Sequence, residues 1–301
     1  MSAAVRPVVV FNPSKCDDPP SRRAEILEAM GRAGMAEPQW AETTPEDPGR
    51  IVTEAALAEG CDLVIACGGD GTVMACVSAV AGSNVPLAIL AAGTGNLLAS
   101  NLDVPADLDE ALAVITAGTV RMIDVGASGD VRFAVMGGIG FDAAMLADAD
   151  ETLKAKIGWA AYILSGLRNL RRAPATYRIT IDGGTPLTRR AQGVLIGNVG
   201  RLEAGLPVLP DAVPDDGVLD VAVLKPRSLW SWTKLAAGVI ARRRPDRATL
   251  ETFTGRRIEI TVDRPQPVEY DGDARPPTRD LTIEVLPRGL AVCVPVRGDR
   301  P

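Results

Sequence analysis

The chain contains no histidine. That one absence removes the commonest general base, the usual zinc ligand and the Ser-His-Asp triad together. Base catalysis near neutral pH then falls to a carboxylate, or failing that to lysine, tyrosine or cysteine. Aromatic residues are scarce, at 4%, so the core has to be built from alanine, valine, leucine and isoleucine. The five cysteines (Cys16, Cys61, Cys67, Cys76 and Cys293) are odd in number and form no C-x-x-C pair. They read as reduced structural thiols and give no zinc site. No apolar run reaches membrane-spanning length. The first apolar run is too short for a signal peptide, so the expected setting is soluble and cytoplasmic. Two nucleotide-binding signatures are also missing: no G-x-x-x-x-G-K-[ST] loop occurs, and no G-x-G-x-x-G opens the first helix.

What is present is an ordinary globular composition of 301 residues, 47% hydrophobic, with a net charge of −6. The length suffices for one large or two medium domains, and the charge argues against general nucleic-acid binding. Apolar runs at 8–11, 63–66 and 87–90 read as strands, with an extended piece at 39–41. Helical patterning covers 21–34, 46–59, 73–80 and 107–117, with a short helix from 97. Strands alternating with helices predict a parallel sheet covered on both faces. Beyond about residue 120 the pattern changes. Short β-type runs at 131–136, 177–181, 191–197, 219–224, 257–262 and 281–286 suit an antiparallel sheet. Two helices, 148–170 and 228–243, interrupt them, and 291–296 is apolar enough for a buried strand. The expectation is an α/β nucleotide-binding domain over 1–121, to which 288–301 returns, and a β-rich, sandwich-like domain over 122–287.

The chemistry concentrates where strands end. Gly68-Gly69-Asp70-Gly71-Thr72 follows one strand and Gly93-Thr94-Gly95-Asn96 follows another. Glycines let phosphate approach the backbone, and the next helix N-terminus adds partial positive charge. Asp70 inside such a loop suits phosphate only when a cation is bound with it, which points to a metal–nucleotide complex. Asn12-Pro13-Ser14-Lys15 is a third polar loop at the edge where open α/β sheets take ligands. Each loop taken alone also fits an ordinary turn; three on one edge point to a nucleotide-using phosphotransferase.

On these motifs the chain resembles the diacylglycerol kinase catalytic domain family, over nearly its whole length and in the branch of bacterial lipid kinases related to sphingosine kinases. Asn12-Pro13, the 68–72 loop and the 93–96 loop match in order, followed by Ile123-Asp124-Val125-Gly126. Pro210-Asp211-Ala212 with Asp216-Gly217-Val218-Leu219-Asp220 matches a further segment, and Asp271-Gly272-Asp273 stands where the family carries Asp-Gly-Glu. The resemblance implies an NAD kinase/diacylglycerol kinase-like fold and ATP-dependent phosphorylation of a lipid hydroxyl, diacylglycerol before sphingoid and other lipid alcohols. It implies ATP contacts from Asn12, Pro13, Ser14, Thr44, Gly68, Gly69, Asp70, Gly71, Thr72, Thr94, Gly95 and Asn96. Asp70 and Asp124 would belong to a carboxylate network around catalytic Mg2+. Asp216, with the carbonyls of Val213 and Val218, would hold a structural Mg2+. Asp273 would accept the proton of the attacking hydroxyl. Two departures stand out: residue 273 is aspartate rather than glutamate, and Leu97 replaces an acid that many relatives place in the magnesium network.

A lipid substrate requires a membrane surface. Residues 228–244 carry tryptophans at one end and an arginine cluster at the other, and 154–172 is similar. Both suit peripheral contact, and both also suit amphipathic helices packed on the sheet. A homodimer through an exposed sheet edge of the second domain is compatible with the pattern. The competing functions are an NAD kinase-like phosphotransferase and a catalytically weak lipid-binding regulator of the same fold.

Overall fold

The computed structural model describes residues 5–92, 96–140, 173–200, 209–225 and 249–296. The chain divides into two compact units, Met1–Val125 with Arg288–Pro301, and Gly126–Pro287.

In the first unit the strands are β1 (Pro7–Phe11), β2 (Gln39–Glu42), β3 (Leu63–Gly68) and β4 (Leu87–Ala91). Their order is β4-β3-β1-β2, all parallel. The end of β14 (Asp273–Val294) adds a further parallel neighbour, with Val292 opposite Leu87. The helices are α1 (Pro19–Arg32), α2 (Arg50–Ala58), α3 (Asp70–Val80), α4 (Leu97–Asn101) and α5 (Leu108–Ala117). β1 is buried along its whole length because both faces are covered. Val9 and Phe11 join Ile26 and Met30 of α1, Leu112 of α5 and Cys293 in one cluster, while Val10 faces the α2 side, near Gly49. A β-branched run buried on both faces is the pattern a parallel strand requires. The α2 helix starts at Arg50, later than the patterning from 46 suggests. Asp47 explains the delay: its carboxylate accepts the amides of Gly49, Ile51 and Val52 and caps the helix.

The second unit holds β6 (Val131–Phe133), β7 (Met136–Ile139), β8 (Ala175–Ile181), β9 (Leu187–Ala191), β10 (Gly193–Gly197), β11 (Leu219–Leu224), β12 (Leu250–Gly255), β13 (Arg257–Tyr270) and the first part of β14. β5 (Thr119–Ser128) closes the first unit's segment and pairs its end with β6, Gly126 opposite Phe133. The order β12-β11-β10-β7-β13-β14 is antiparallel where these strands pair, and β8 and β9 extend from β13. Gly126 is fixed by packing: a Cβ there would stand 2.0 Å from the Phe133 ring. The fold is thus a parallel α/β unit and an antiparallel β unit. The run at 131–136 splits into β6 and β7, those at 281–286 and 291–296 fuse into β14, and β5, β9 and β12 are strands that the sequence pattern did not suggest. The predicted helices at 148–170 and 228–243 lie outside the described residues.

Candidate active site

β1, β2, β3 and β4 all point the same way, so the loops that follow them share one edge. The chain leaves β1 toward β2 on one side and returns through β3 on the other. This makes the β1/β3 boundary the switch point at which open α/β sheets bind ligands. Asn12 follows β1, Thr44 follows β2, the 68–72 loop follows β3, and Asn96 lies beyond β4. Thr94 and Gly95 lie outside the described residues.

Hydrogen bonds tie these loops together. The Asn12 amide donates to the Cys67 carbonyl at 3.0 Å and the Ala92 amide to the Gly68 carbonyl at 3.0 Å. The Asn12 side chain donates to Thr72 Oγ1 at 3.1 Å, and its Oδ1 accepts the Ser14 amide and hydroxyl at 3.0 and 2.7 Å. Pro13 opens the short 3-10 turn of 13–15, which brings Lys15 over the glycine loop. The Lys15 Cε lies 3.9 Å from where a Cβ on Gly69 would stand. Gly68 has no room for any side chain: its Cβ would meet Thr72 Oγ1 at 2.6 Å. The α3 helix begins at Asp70 without a side-chain cap, so its first amides are available to an anion. Asp70 Oδ1 accepts the Leu97 amide at 2.7 Å, and the buried Asn96 caps α4 by accepting the Ala99 amide at 2.9 Å. Thr44 is exposed, and its Oγ1 accepts the Asp47 amide at 3.1 Å.

Asp124 is 0% exposed in β5 and accepts the Arg288 amide at 2.7 Å. In the second unit Asp216 Oδ1 accepts the Val218 amide at 3.1 Å, an Asx turn around Gly217 with φ +79°. Burial, with the charges of Asp216 and Asp211 added to it, pushes the Asp220 carboxyl up to about 6. Among the described residues no group of three or more His, Cys, Asp or Glu side chains is arranged to hold a metal ion. Any ion at Asp216 would need carbonyl oxygens, such as those of Val213 and Val218, to complete its shell.

Asp273 is exposed at the start of β14 and pairs with Arg275 at 2.7 Å. Asp271 points inward, and its carboxylate accepts the amides of Ala134, Val135 and Met136. Lys15, Asp220 and Asp271 are the residues to which sequence reasoning assigned no role. Lys15 was visible as a cation inside a phosphate-type loop, whereas the partners of Asp271 lie more than 130 residues away and leave no local trace.

The parallel unit with glycine loops at its switch point, joined in one chain to an antiparallel β unit, is the diacylglycerol kinase/NAD kinase fold. Residues 6–128 match the diacylglycerol kinase catalytic domain, and residues 135–294 match the YegS C-terminal NAD kinase beta sandwich-like domain. The chain belongs to this family of lipid kinases. It is 32% identical over 260 residues to a YegS-like lipid kinase of Pseudomonas fluorescens, covering 85% of this chain and 84% of that one. It is 28% identical to a diacylglycerol kinase of Mycobacterium tuberculosis, covering 83% and 82%. Against an uncharacterized Synechocystis protein, 28% identical, the match takes in 81% of this chain and spans 58% of the relative's length. The crystal structure of a diacylglycerol kinase from Bacillus anthracis superposes with a TM-score of 0.73 at 24% identity over 98% of both chains. That of an NAD kinase from Archaeoglobus fulgidus in complex with ATP gives 0.53 at 13% identity over 95% and 93%. These two show the fold alone.

Proposed function

We propose that this chain transfers the γ-phosphate of ATP to the hydroxyl of a membrane lipid, diacylglycerol giving phosphatidic acid. The observation that carries the reading is the hydrogen-bonded set of strand-end loops at the switch point, in a chain of this family. The 68–72 loop and the N-terminus of α3 would receive the phosphates, with Asn12, Pro13, Ser14, Thr44, Thr94, Gly95 and Asn96 around the nucleotide. Asp273 would take the proton from the lipid hydroxyl as it attacks. Its exposure suits a group that must meet a substrate. The acceptor follows relatives that carry the name diacylglycerol kinase.

Mg2+ belongs to the same reading. A carboxylate at Asp216 with the carbonyls of Val213 and Val218 is an all-oxygen donor set, the chemistry that a hard divalent cation takes. A second ion near Asp70 and Asp124 would neutralise phosphate charge, and the protein's own work would be positioning. Contact with a membrane surface is part of the proposal because the acceptor is a membrane alcohol.

The test supplies γ-labelled ATP and Mg2+ with a total lipid extract in mixed micelles, and with NAD in parallel. Label in an organic-soluble lipid that co-migrates with phosphatidic acid is the expected result. Label only in a different lipid would reassign the acceptor. Label only in NADP would move the chain to the NAD kinase reading, and no transfer to either would leave the regulator.

A further inference from the structure

Asp271 and Asp273 are separated by one glycine and occupy opposite environments. Asp271, at φ +48°, and Gly272, at φ +89°, are both left-handed, and Tyr270 pairs with Asp273 across them. This is a two-residue hairpin turn of type I′, for which Asp-Gly is a favoured sequence. From that turn the Asp271 carboxylate reaches the tripeptide between β6 and β7. Its Oδ2 accepts the Ala134 amide at 2.9 Å, and its Oδ1 accepts those of Val135 and Met136 at 3.0 and 2.6 Å. The Asp271 amide donates to the Met136 carbonyl at 2.8 Å. Asn198 takes the other two carbonyls, its Nδ2 donating to Ala134 at 3.1 Å and its amide to Val135 at 2.9 Å. Every backbone polar group of this buried tripeptide is thereby met by Asp271 or Asn198.

One side of the turn is held by β7, where Ile139, Gly138 and Gly137 pair with Val268, Glu269 and Tyr270; the other side, toward β14, is less regular. The β13–β14 ladder changes register between Thr261 and Gln266 and again between Gln266 and Val268, so only Val268, Glu269 and Tyr270 are in step next to the turn. Gly272 has one further tie, its amide donating to Glu269 Oε1 at 3.1 Å. A short aspartate at 273 has little reach with which to correct a misplaced turn.

We propose that Asp271 is the positioning residue for Asp273, locking the hairpin turn onto residues 134–136 and so fixing where the Asp273 carboxylate is presented. The inference rests on the reading of Asp273 as the base. A displacement of about 1 Å at a reacting group costs on the order of a hundredfold in rate, which sets the expected effect.

Four proteins decide it: the unmodified chain, Asp273→Asn, Asp271→Asn and the double variant, each assayed for transfer and for amide hydrogen exchange. Asp271→Asn should lower kcat about a hundredfold with KM for ATP within about twofold. The double variant should be no slower than Asp273→Asn alone, because an absent base cannot be misplaced. The amides of Ala134, Val135 and Met136 should exchange at least about tenfold faster in Asp271→Asn. Losses that multiply in the double variant, or an unmodified kcat in Asp271→Asn, would overturn the proposal. If Asp273→Asn transfers at the unmodified rate, the base reading falls by itself. The exchange data then still judge the clamp: faster exchange at 134–136 upholds it, unchanged exchange overturns it. If Asp271→Asn does not fold, the unmodified chain answers. Amides at 134–136 as slow as those of β13 support the clamp, and fast exchange there overturns it.

Discussion

Asp70, the first residue of α3, accepts the amide of Leu97, the first residue of α4, at 2.7 Å. The helix that starts in one glycine loop is thus bonded to the helix that follows the other. In this chain residue 97 contributes its backbone amide.

Asp70 has two separable duties, a structural one as hydrogen-bond acceptor and a proposed one as negative charge toward a metal–nucleotide complex. Asp70→Asn keeps an acceptor oxygen and removes the charge; Asp70→Ala removes both. Transfer activity should be lost in both variants. Stability in urea should fall by about 1 kcal/mol only in Asp70→Ala. Near-unmodified turnover in Asp70→Asn would refute the charge role and leave the bond.

The glycines of the 68–72 loop should divide in the same way. A Cβ at Gly68 would stand 2.6 Å from Thr72 Oγ1 and 2.7 Å from Thr72 Cβ, whereas a Cβ at Gly71 meets nothing within 4 Å. Gly68→Ala forces the buried Thr72 aside and breaks its bond to Asn12, for a cost of about 1–3 kcal/mol. Gly71→Ala sits in the first turn of α3 without strain and should be neutral or slightly stabilising. If phosphate approaches this loop, Gly71→Ala will raise KM for ATP although the fold is intact. Thermal melts and ATP titrations of both variants check this. A destabilised Gly71→Ala would contradict the packing, and an unchanged KM would contradict the approach of phosphate.

The strand-end loops were legible in the sequence because each element of the first unit is local: apolar run, glycines, helix. What escaped was set by partners far along the chain. β5 carries Asp124 in its middle, which reads as a strand breaker until the Arg288 amide is seen to meet it. β12 carries Glu251, neutralised by Arg189 and Lys225 from β9 and the end of β11. Pro276 and Pro277 are residues that a paired strand disfavours at the start of β14. They fall between the pairs Gln266–Thr278 and Val268–Arg275, where the register shifts and no ladder amide is required. The same holds for function. Asp273 was found through its motif, whereas Asp271 was assigned no role because the amides that donate to its carboxylate are remote.

The Glu251 cluster carries a pH prediction of its own. Arg189 binds it through Nε and Nη2 at 2.8 and 2.9 Å, and the Lys225 ammonium at 2.8 Å. The Arg189 hydrogen bonds, aided by Lys225 and opposed by burial, hold the carboxyl at about 2, below its ordinary 4.5. A lowered value means that the stabilisation is present above about pH 4.5 and lost as pH falls toward 2. Its size is on the order of 3 kcal/mol. Urea unfolding between about pH 5 and pH 2.5 should show this slope, and Glu251→Gln should flatten it. An equal slope in the variant would assign the acid sensitivity to other carboxylates.

Asp271 should show the opposite sign, and in two quantities at once. Burial pushes its carboxyl from the ordinary 3.8 up to about 7; the amides of Met136, Ala134 and Val135 pull it down, and the charge of Glu269 adds to the rise. Between about pH 4 and pH 7 the folded chain therefore holds a proton that the unfolded chain has released. Stability from this group is complete below about pH 4 and is lost as pH rises through 7. Transfer should run the other way, because the ionised carboxylate is the better acceptor for the three amides that fix the turn. In the unmodified chain kcat should rise with a midpoint of about pH 7 while the melting temperature falls across the same window. Asp271→Asn removes the titrating group and should abolish both inflections, leaving a low and flat kcat. A kcat profile that is flat between about pH 6 and pH 8 in the unmodified chain would break the link between this carboxyl and the reaction.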